Sequence, residues 1–362
     1  MRVLIASDTN SPRVDGVSGF LLNLEPHLKQ FNVKIIAPNF GVPLNRFPVT
    51  KTKLLRIRFG DFYFSMPSWG TIKAMVAKSD VVFAQSIGPV GGLAILAAHK
   101  QKKPVVLYAH VMDWEIAGSA VKKFKTLTRF FVKLVARWLY RKCSQIIVAS
   151  SRSADLIGSI GVDTPKIVIP LGIDTQKFKP SDKNAAKKKL GLQGKRVVGF
   201  VGRLAHEKDL PTLHAAFKEA QKKVPNMKLL VVGTGITNIL PEDEDVRLAG
   251  PQTNIVPYLQ AMDVFVLPSL TETNSLATME AMACSVPVIV TPVGSIGDYV
   301  VEAKNGFFFP RQDVKALTER LISLLSSPAT RLKIGRAARE TILQDRQFDK
   351  TAKEIANVLK DA

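Results

Sequence analysis

Residues 268–292 read PSLTETNSLATMEAMACSVPVIVTP, and this pattern decides what kind of sheet the chain builds. Just before it, Val264, Phe265, Val266 and Leu267 form an apolar run of strand length. Thr271, Glu272, Thr273, Asn274 and Ser275 make a short polar loop. Leu276, Met279, Glu280, Ala281, Met282 and Ala283 then read as a helix, and residues 286–290 as a second apolar strand. Strand, loop, helix, strand is the building block of a parallel sheet, because parallel strands need a crossover to return the chain. In such sheets ligands bind beyond the carboxyl ends of the strands. Glu272 sits in that position, and Glu280 lies inside the helix, with seven residues between them. The loop leads into a helix start, whose free N–H groups suit an anion such as phosphate. A carboxylate beside it can accept hydrogen bonds from sugar hydroxyls. Without these surroundings, two glutamates would be a solvated loop residue and a partly buried structural one.

The same logic recurs upstream. Residues 197–201 form a strand, and Gly202, Arg203 and Lys208 lie in the turn before a helix beginning near Pro211. Two cations at such a turn can neutralise a leaving diphosphate, although exposure to solvent is the ordinary fate of Arg and Lys. Residues 246–249 run into Gly250-Pro251-Gln252. At the start of the chain, a strand over residues 2–6 precedes a turn at Asp15-Gly16-Val17-Ser18-Gly19 and a helix from about Ser18. Such a turn permits close approach to phosphate, but a plain tight loop reads equally well, and the three-glycine dinucleotide fingerprint is absent. A strand over residues 105–108 delivers His110 to the functional edge of its sheet, with Asp113 and Glu115 close behind as candidates to position an acceptor hydroxyl. Residues 89–98 read as a glycine-bearing loop entering a helix.

Three stretches together resemble the retaining GT-B glycosyltransferases of the Glu-x7-Glu, family 4-like group. They are Glu272 to Glu280 with its Ala-Met-Ala helix and Pro-Val strand, the Gly-Arg…Glu-Lys run at 202–208, and PLGIDTQKFKP at 170–180. The resemblance implies an α/β protein with two Rossmann-like domains whose parallel sheets face an interdomain cleft. It implies an acceptor-side domain over 1–172, a nucleotide-sugar domain over 173–345, and a final helix, 346–362, crossing back. It implies transfer of a hexose from a UDP- or GDP-sugar with retention of configuration, and no metal or other cofactor. Glu272 would contact the donor sugar, Glu280 the ribose, and Arg203 and Lys208 the diphosphate, with backbone at Asn274, Ser275 and Leu276. Gly16 and Gly202 would line the diphosphate, Pro251 the nucleobase, and His110 the sugar. The chain departs from the family where Gly-Phe-Gly is usual, carrying Thr273, Asn274 and Ser275. Side chains there would narrow the donor pocket.

Lys and Arg number 51 against 30 Asp and Glu, a net charge of +21 that must meet something negative: nucleic acid, anionic membrane or phosphorylated small molecules. No recognised nucleic-acid motif supports the first. Two cysteines, far apart, fit a reducing compartment without disulfides. MRVLIAS is too short an apolar run for a signal peptide. Residues 39–69 mix Arg56 and Arg58 with Phe62 and Trp69, as a membrane interface or a single-stranded nucleic acid would favour, while the alternation over 53–58 equally suits paired strands. Residues 122–142 read as a basic amphipathic helix. Phe124, Leu127, Phe131, Leu134, Val135 and Trp138 make the stripe expected to pack inward. Lys125, Arg129 and Lys133 belong to the side expected to meet anionic lipid. These segments favour a lipid or lipid-linked acceptor and a peripheral place on the cytoplasmic face of the membrane. A soluble acceptor, or a sugar-nucleotide epimerase or hydrolase on the same scaffold, remains an alternative.

Overall fold

The structure is a computed structural model. It describes residues 1–13, 15–59, 62–110, 112–114, 117, 124–241 and 243–362, without the side chains of 56–59, 62 and 237. The chain forms two units, one of Met1–Pro170 with Asp349–Ala362, the other of Leu171–Phe348.

The first unit is built on an eight-stranded sheet. Its strands are β1 (Arg2–Ala6), β2 (Asn32–Pro38), β3 (Val49–Phe59), β4 (Phe62–Met66), β5 (Val81–Ala84), β6 (Val105–Ala109), β7 (Gln145–Val148) and β8 (Lys166–Val168). They lie in the order β4-β3-β2-β1-β5-β6-β7-β8. All neighbours are parallel except β3 and β4, an antiparallel pair. The aromatic and basic segment is therefore a pair of strands, although the side chains of Arg56, Arg58 and Phe62 lie outside the described residues. The inner strands β5 and β6 are buried throughout, which is why they read as apolar runs without alternation.

Among the described residues α1 (Gly16–Leu24), α2 (Trp69–Ala77), α3 (Pro89–Lys100), α4 (Lys125–Tyr140) and α5 (Ser151–Ser159) cross between these strands. Helix α3 begins at Pro89, so Gly91 and Gly92 lie in the helix rather than in a loop before it. Its start is pinned from β1: Asp8 accepts from the Val90 and Gly91 amides at 2.7 and 3.1 Å. A Cβ on Gly91 would fall 2.0 Å from the Ser86 carbonyl oxygen, which accounts for glycine inside the first turn.

Helix α4 reverses the expected packing. The stripe expected to pack inward, from Leu134 at 46% to Phe124 just before the helix at 76%, is exposed. Ala136, Leu139 and Tyr140 face inward instead. The helix is apolar on two faces, and the one with Ala136 packs in the first unit's core, with Leu139 close against Gly92 of α3. Leaving a Phe or Leu in water forgoes about 1.5–3 kcal/mol of burial per residue. Among the described residues no helix is long and apolar enough to cross a membrane.

The second unit carries a six-stranded parallel sheet in the order β11-β10-β9-β12-β13-β14. The strands are β9 (Arg196–Val201), β10 (Met227–Val232), β11 (Val246–Leu248), β12 (Val264–Leu267), β13 (Val288–Val290) and β14 (Phe307–Phe308). Around them run α6 (Lys183–Lys189), α7 (Leu210–Gln221), α8 (Val256–Ala261), α9 (Leu276–Ala283), α10 (Val314–Ser326) and α11 (Pro328–Asp345). The last helix, α12 (Phe348–Lys360), belongs almost wholly to the first unit, where Thr351 Oγ1 donates to the Pro170 carbonyl at 2.7 Å.

Candidate functional site

In the second unit the sheet order makes β9 and β12 neighbours, so the loops that follow them meet. Gly202, at φ +157°, opens the loop after β9, and a Cβ on Gly233 would lie 1.8 Å from the Gly202 carbonyl oxygen, so two strand ends press together there. Arg203 pairs with Glu207, four residues on in the same loop, and is half-exposed. Lys208 forms an ion pair with Glu272, their side chains only 16% and 11% exposed. Ser269 Oγ donates to the same Glu272 oxygen at 2.8 Å. Glu272 thus holds a cation and a hydroxyl, and Lys208 is the cation nearest the loop.

The loop from Glu272 to Ser275 is strapped to the turn after β13. Gly294 sits at φ +62°, and a Cβ there would fall 2.4 Å from the Glu272 carbonyl oxygen. Ser295 Oγ lies 2.7 Å from the Thr273 carbonyl and 2.8 Å from Asn274 Oδ1. Ser275 is the N-cap of α9: its Oγ accepts from the Thr278 amide at 3.2 Å and from Thr278 Oγ1 at 2.8 Å. Two of the three side chains that replace the usual Gly-Phe-Gly are therefore bound back onto the protein. The amide of Leu276, first residue of α9, is among those a helix start leaves without an intrahelical acceptor.

Glu280, on α9, is half-buried, and its carboxylate accepts no hydrogen bond among the described residues. Burial pushes its carboxyl up to about 7, with Lys177 opposing. A carboxylate without hydrogen bonds in such a place is suited to receive donors from a ligand. Pro251 stands exposed after β11, beyond Gly250, whose carbonyl accepts from the Gly233 amide at 3.0 Å.

The first unit presents a different edge. His110 follows β6, its ring stacked on Tyr108 at 4.2 Å and edge-on to Phe20 at 4.8 Å. Its Nε2 lies 3.0 Å from Gln85 Oε1, and burial pushes the imidazole down to about 3, so it is neutral at any working pH. Asp113 accepts from Tyr140 Oη at 2.9 Å, and burial pushes it up to about 6. Gly16 is the first residue of α1, whose N-cap Asp15 accepts from the Ser18 amide at 2.8 Å. Glu115 lies outside the described residues. Gln85 and Asp8 are the polar groups that sequence reasoning missed; only the glycines at 88 and 91, crowded against Asp8 and Ser86, hint at them.

Lys125 and Arg129 are exposed on α4, whereas Lys133 turns inward over the Trp114 ring at 6.0 Å. Trp69 opens α2, its ring under Lys100 Nζ at 5.3 Å. The structure thus brings Gly202, Arg203, Lys208, Glu272, Asn274, Ser275 and Leu276 to one edge of the second unit. His110 stands at the corresponding edge of the first. Among the described residues no three His, Cys, Asp or Glu side chains converge as a metal would need.

Two α/β units, each on a wholly or largely parallel sheet with polar residues beyond the strand ends, have the architecture of the GT-B type. Residues 182–341 match the family model of glycosyl transferases group 1, and residues 14–177 that of glycosyltransferase family 4. With one model on each unit, the chain belongs to the GT-B glycosyltransferases. It is 28% identical over 274 residues to alpha-monoglucosyldiacylglycerol synthase of Acholeplasma laidlawii, covering 69% of this chain and 68% of that one. The enzyme of the same name from Streptococcus pneumoniae is 27% identical over 318 residues, covering 80% and 70%. The structure of HepE from Anabaena in complex with UDP-glucose covers 100% of both chains with a TM-score of 0.79 at 18% identity, a likeness of fold.

Proposed function

We propose that this glycosyltransferase moves a hexose from a UDP- or GDP-sugar to a lipid or lipid-linked acceptor at an anionic membrane surface, with retention of configuration and without a metal. The observation that carries the acceptor is the outward face of α4, where Leu127, Phe130, Phe131, Leu134 and Trp138 stand in solvent beside Lys125 and Arg129. Apolar residues edged by cations suit insertion at a lipid interface, with about 1 kcal/mol from each basic residue near anionic headgroups. Two relatives named as glucosyldiacylglycerol synthases point the same way.

On the donor side, Lys208 and Arg203 would neutralise the diphosphate, together with the α9 amides. To do so Lys208 exchanges Glu272 for a phosphate oxygen, which frees Glu272 for the sugar. Glu280 takes the ribose hydroxyls and His110 a sugar hydroxyl. The departing diphosphate carries the charge of the breaking bond, and one of its oxygens takes the acceptor proton, so no side chain is needed as base.

The test combines donor and surface. Thermal shift of the purified protein against UDP, GDP and their sugars should single out one nucleotide. With that donor, transfer to diacylglycerol in anionic vesicles should exceed transfer in neutral vesicles, fall with salt, and survive EDTA. Equal activity on neutral vesicles, or on a water-soluble acceptor alone, would overturn the membrane part. A metal requirement would overturn the electrostatic part, and release of free sugar and nucleoside diphosphate with no glycosylated acceptor would favour a hydrolase.

A further inference from the structure

We propose that Gln85 is the positioning residue of His110: its side-chain amide holds the imidazole in one orientation and one tautomer, with the proton on Nε2 and Nδ1 left as a hydrogen-bond acceptor for a donor hydroxyl of the sugar. The inference deepens the donor reading above and rests on His110 contacting the sugar.

Tyr108 and Phe20 clamp the plane of the ring, one face-on and one edge-on. Neither tells nitrogen from carbon, so a half-turn of the imidazole costs almost nothing in packing. Gln85 makes the difference, as the ring's hydrogen-bond partner at 3.0 Å. The ring is neutral and carries a single N–H. Facing the amide oxygen, that hydrogen belongs on Nε2, because two lone pairs would repel. The tautomer then leaves Nδ1 as an acceptor.

Strand pairing sets this geometry. Gln85 follows β5 and His110 follows β6, and the two strands pair with Ala84 opposite Leu107. Gln85 is 2% exposed, and its amide nitrogen is buried without a partner among the described residues. An orphaned buried donor is destabilising, and a leucine of similar volume would remove it. A polar side chain kept at such a cost, whose described side-chain hydrogen bond goes to a site residue, marks function winning over stability.

The experiment uses the full chain with 15N-labelled histidine. The protein has five histidines, so His110→Ala assigns the signal. The wild-type His110 should show one protonated nitrogen, Nε2, unchanged from pH 5 to 8. Gln85→Leu should show a mixture of tautomers. In the same proteins, Gln85→Leu should weaken UDP-glucose or GDP-mannose, whichever the wild type binds, about tenfold. The affinity for UDP or GDP alone should stay within about twofold of wild type. A wild-type proton on Nδ1 overturns the proposal even where Gln85→Leu does not fold. So does a Gln85→Leu protein with unchanged tautomer and unchanged sugar contribution. If neither nucleotide sugar binds the wild type, the donor reading fails, and the nitrogen signals still decide the role of Gln85.

Discussion

The two units end their sheets in opposite chemistry. In the second, the strand-end loops carry charge, Lys208 against Glu272 and Arg203 against Glu207, and behind them on α9 the Glu280 carboxyl accepts no hydrogen bond among the described residues. In the first, the residues that follow β5 and β6 bring together an amide and a neutral imidazole, packed against the rings of Phe20 on α1 and Tyr108 on β6. Fixed charge suits a ligand that is itself charged, and a neutral, packed group suits one distinguished only by the direction of its hydroxyls. On the proposed reading the diphosphate falls to the second unit's machinery, and the sugar hydroxyl that reaches His110 to the first's. Each variant below bears on that division.

Lys208→Ala should have the largest effect. It removes the cation proposed for the diphosphate and leaves Glu272, with its side chain 11% exposed, holding only Ser269. Loss of one group that stabilises developing charge costs roughly 10²–10³ in rate. Affinity for the nucleoside diphosphate should fall with it, because the contact is to phosphate rather than to sugar. His110→Ala should leave nucleoside diphosphate affinity close to wild type. Calorimetric titration of both variants with nucleotide alone checks this, and equal losses would erase the contrast between the units.

How much of this was legible in the sequence depends on how local the signal is. The apolar runs at 264–267 and 286–290 with their loop needed only short-range pattern, and β12, α9 and β13 stand there, although β13 is shorter, Val288–Val290. The meeting of Lys208 with Glu272 was not legible, because it depends on β9 lying beside β12 although two strands intervene in sequence. The packing of α4 was misread for a different reason. Periodicity marks a helix with apolar faces, but not which face a neighbour takes, and here the face with Ala136, Leu139 and Tyr140 packs inward while the one with Leu127, Phe131, Leu134 and Trp138 stays outside. Gln85 has no motif at all. Its meaning comes from the strand pairing that brings it to His110.

Glu280→Gln should separate stability from binding. Burial raises the folded carboxyl to about 7 from an ordinary value of 4.5. Between those values the folded state keeps a proton that the unfolded chain has released, so rising pH lowers the stability of the wild type. Above about pH 7 the cost is complete, roughly 3 kcal/mol at most by the shift. Removing this carboxyl therefore reverses the usual sign for a site residue: the variant should match the wild type at about pH 4.5, gain through about pH 7 and stay several degrees higher at about pH 8. Its affinity for the nucleotide should nevertheless drop by about tenfold or more, since a hydrogen bond to a charged acceptor contributes about 1.5–3 kcal/mol. Melting curves across pH, with and without nucleotide, measure both. A variant that gains nothing on the wild type between those pH limits would remove Glu280 from the charged machinery.

The smallest effect should come from Ser275. As N-cap of α9 it satisfies the Thr278 amide, and Ser275→Ala should cost about 1 kcal/mol of stability. Ser275→Gly, which restores the residue usual in the family, should cost only a few tenths, because glycine is itself a fair N-cap. If the side chain serves the helix rather than the ligand, neither variant should change nucleotide affinity by more than about twofold, against the hundredfold scale of Lys208→Ala. Denaturant melts and nucleotide titrations of the two variants decide it. A Ser275→Gly protein that binds nucleotide sugar much more tightly would show that the serine narrows the donor site after all, and that charge is not the second unit's only means of selection.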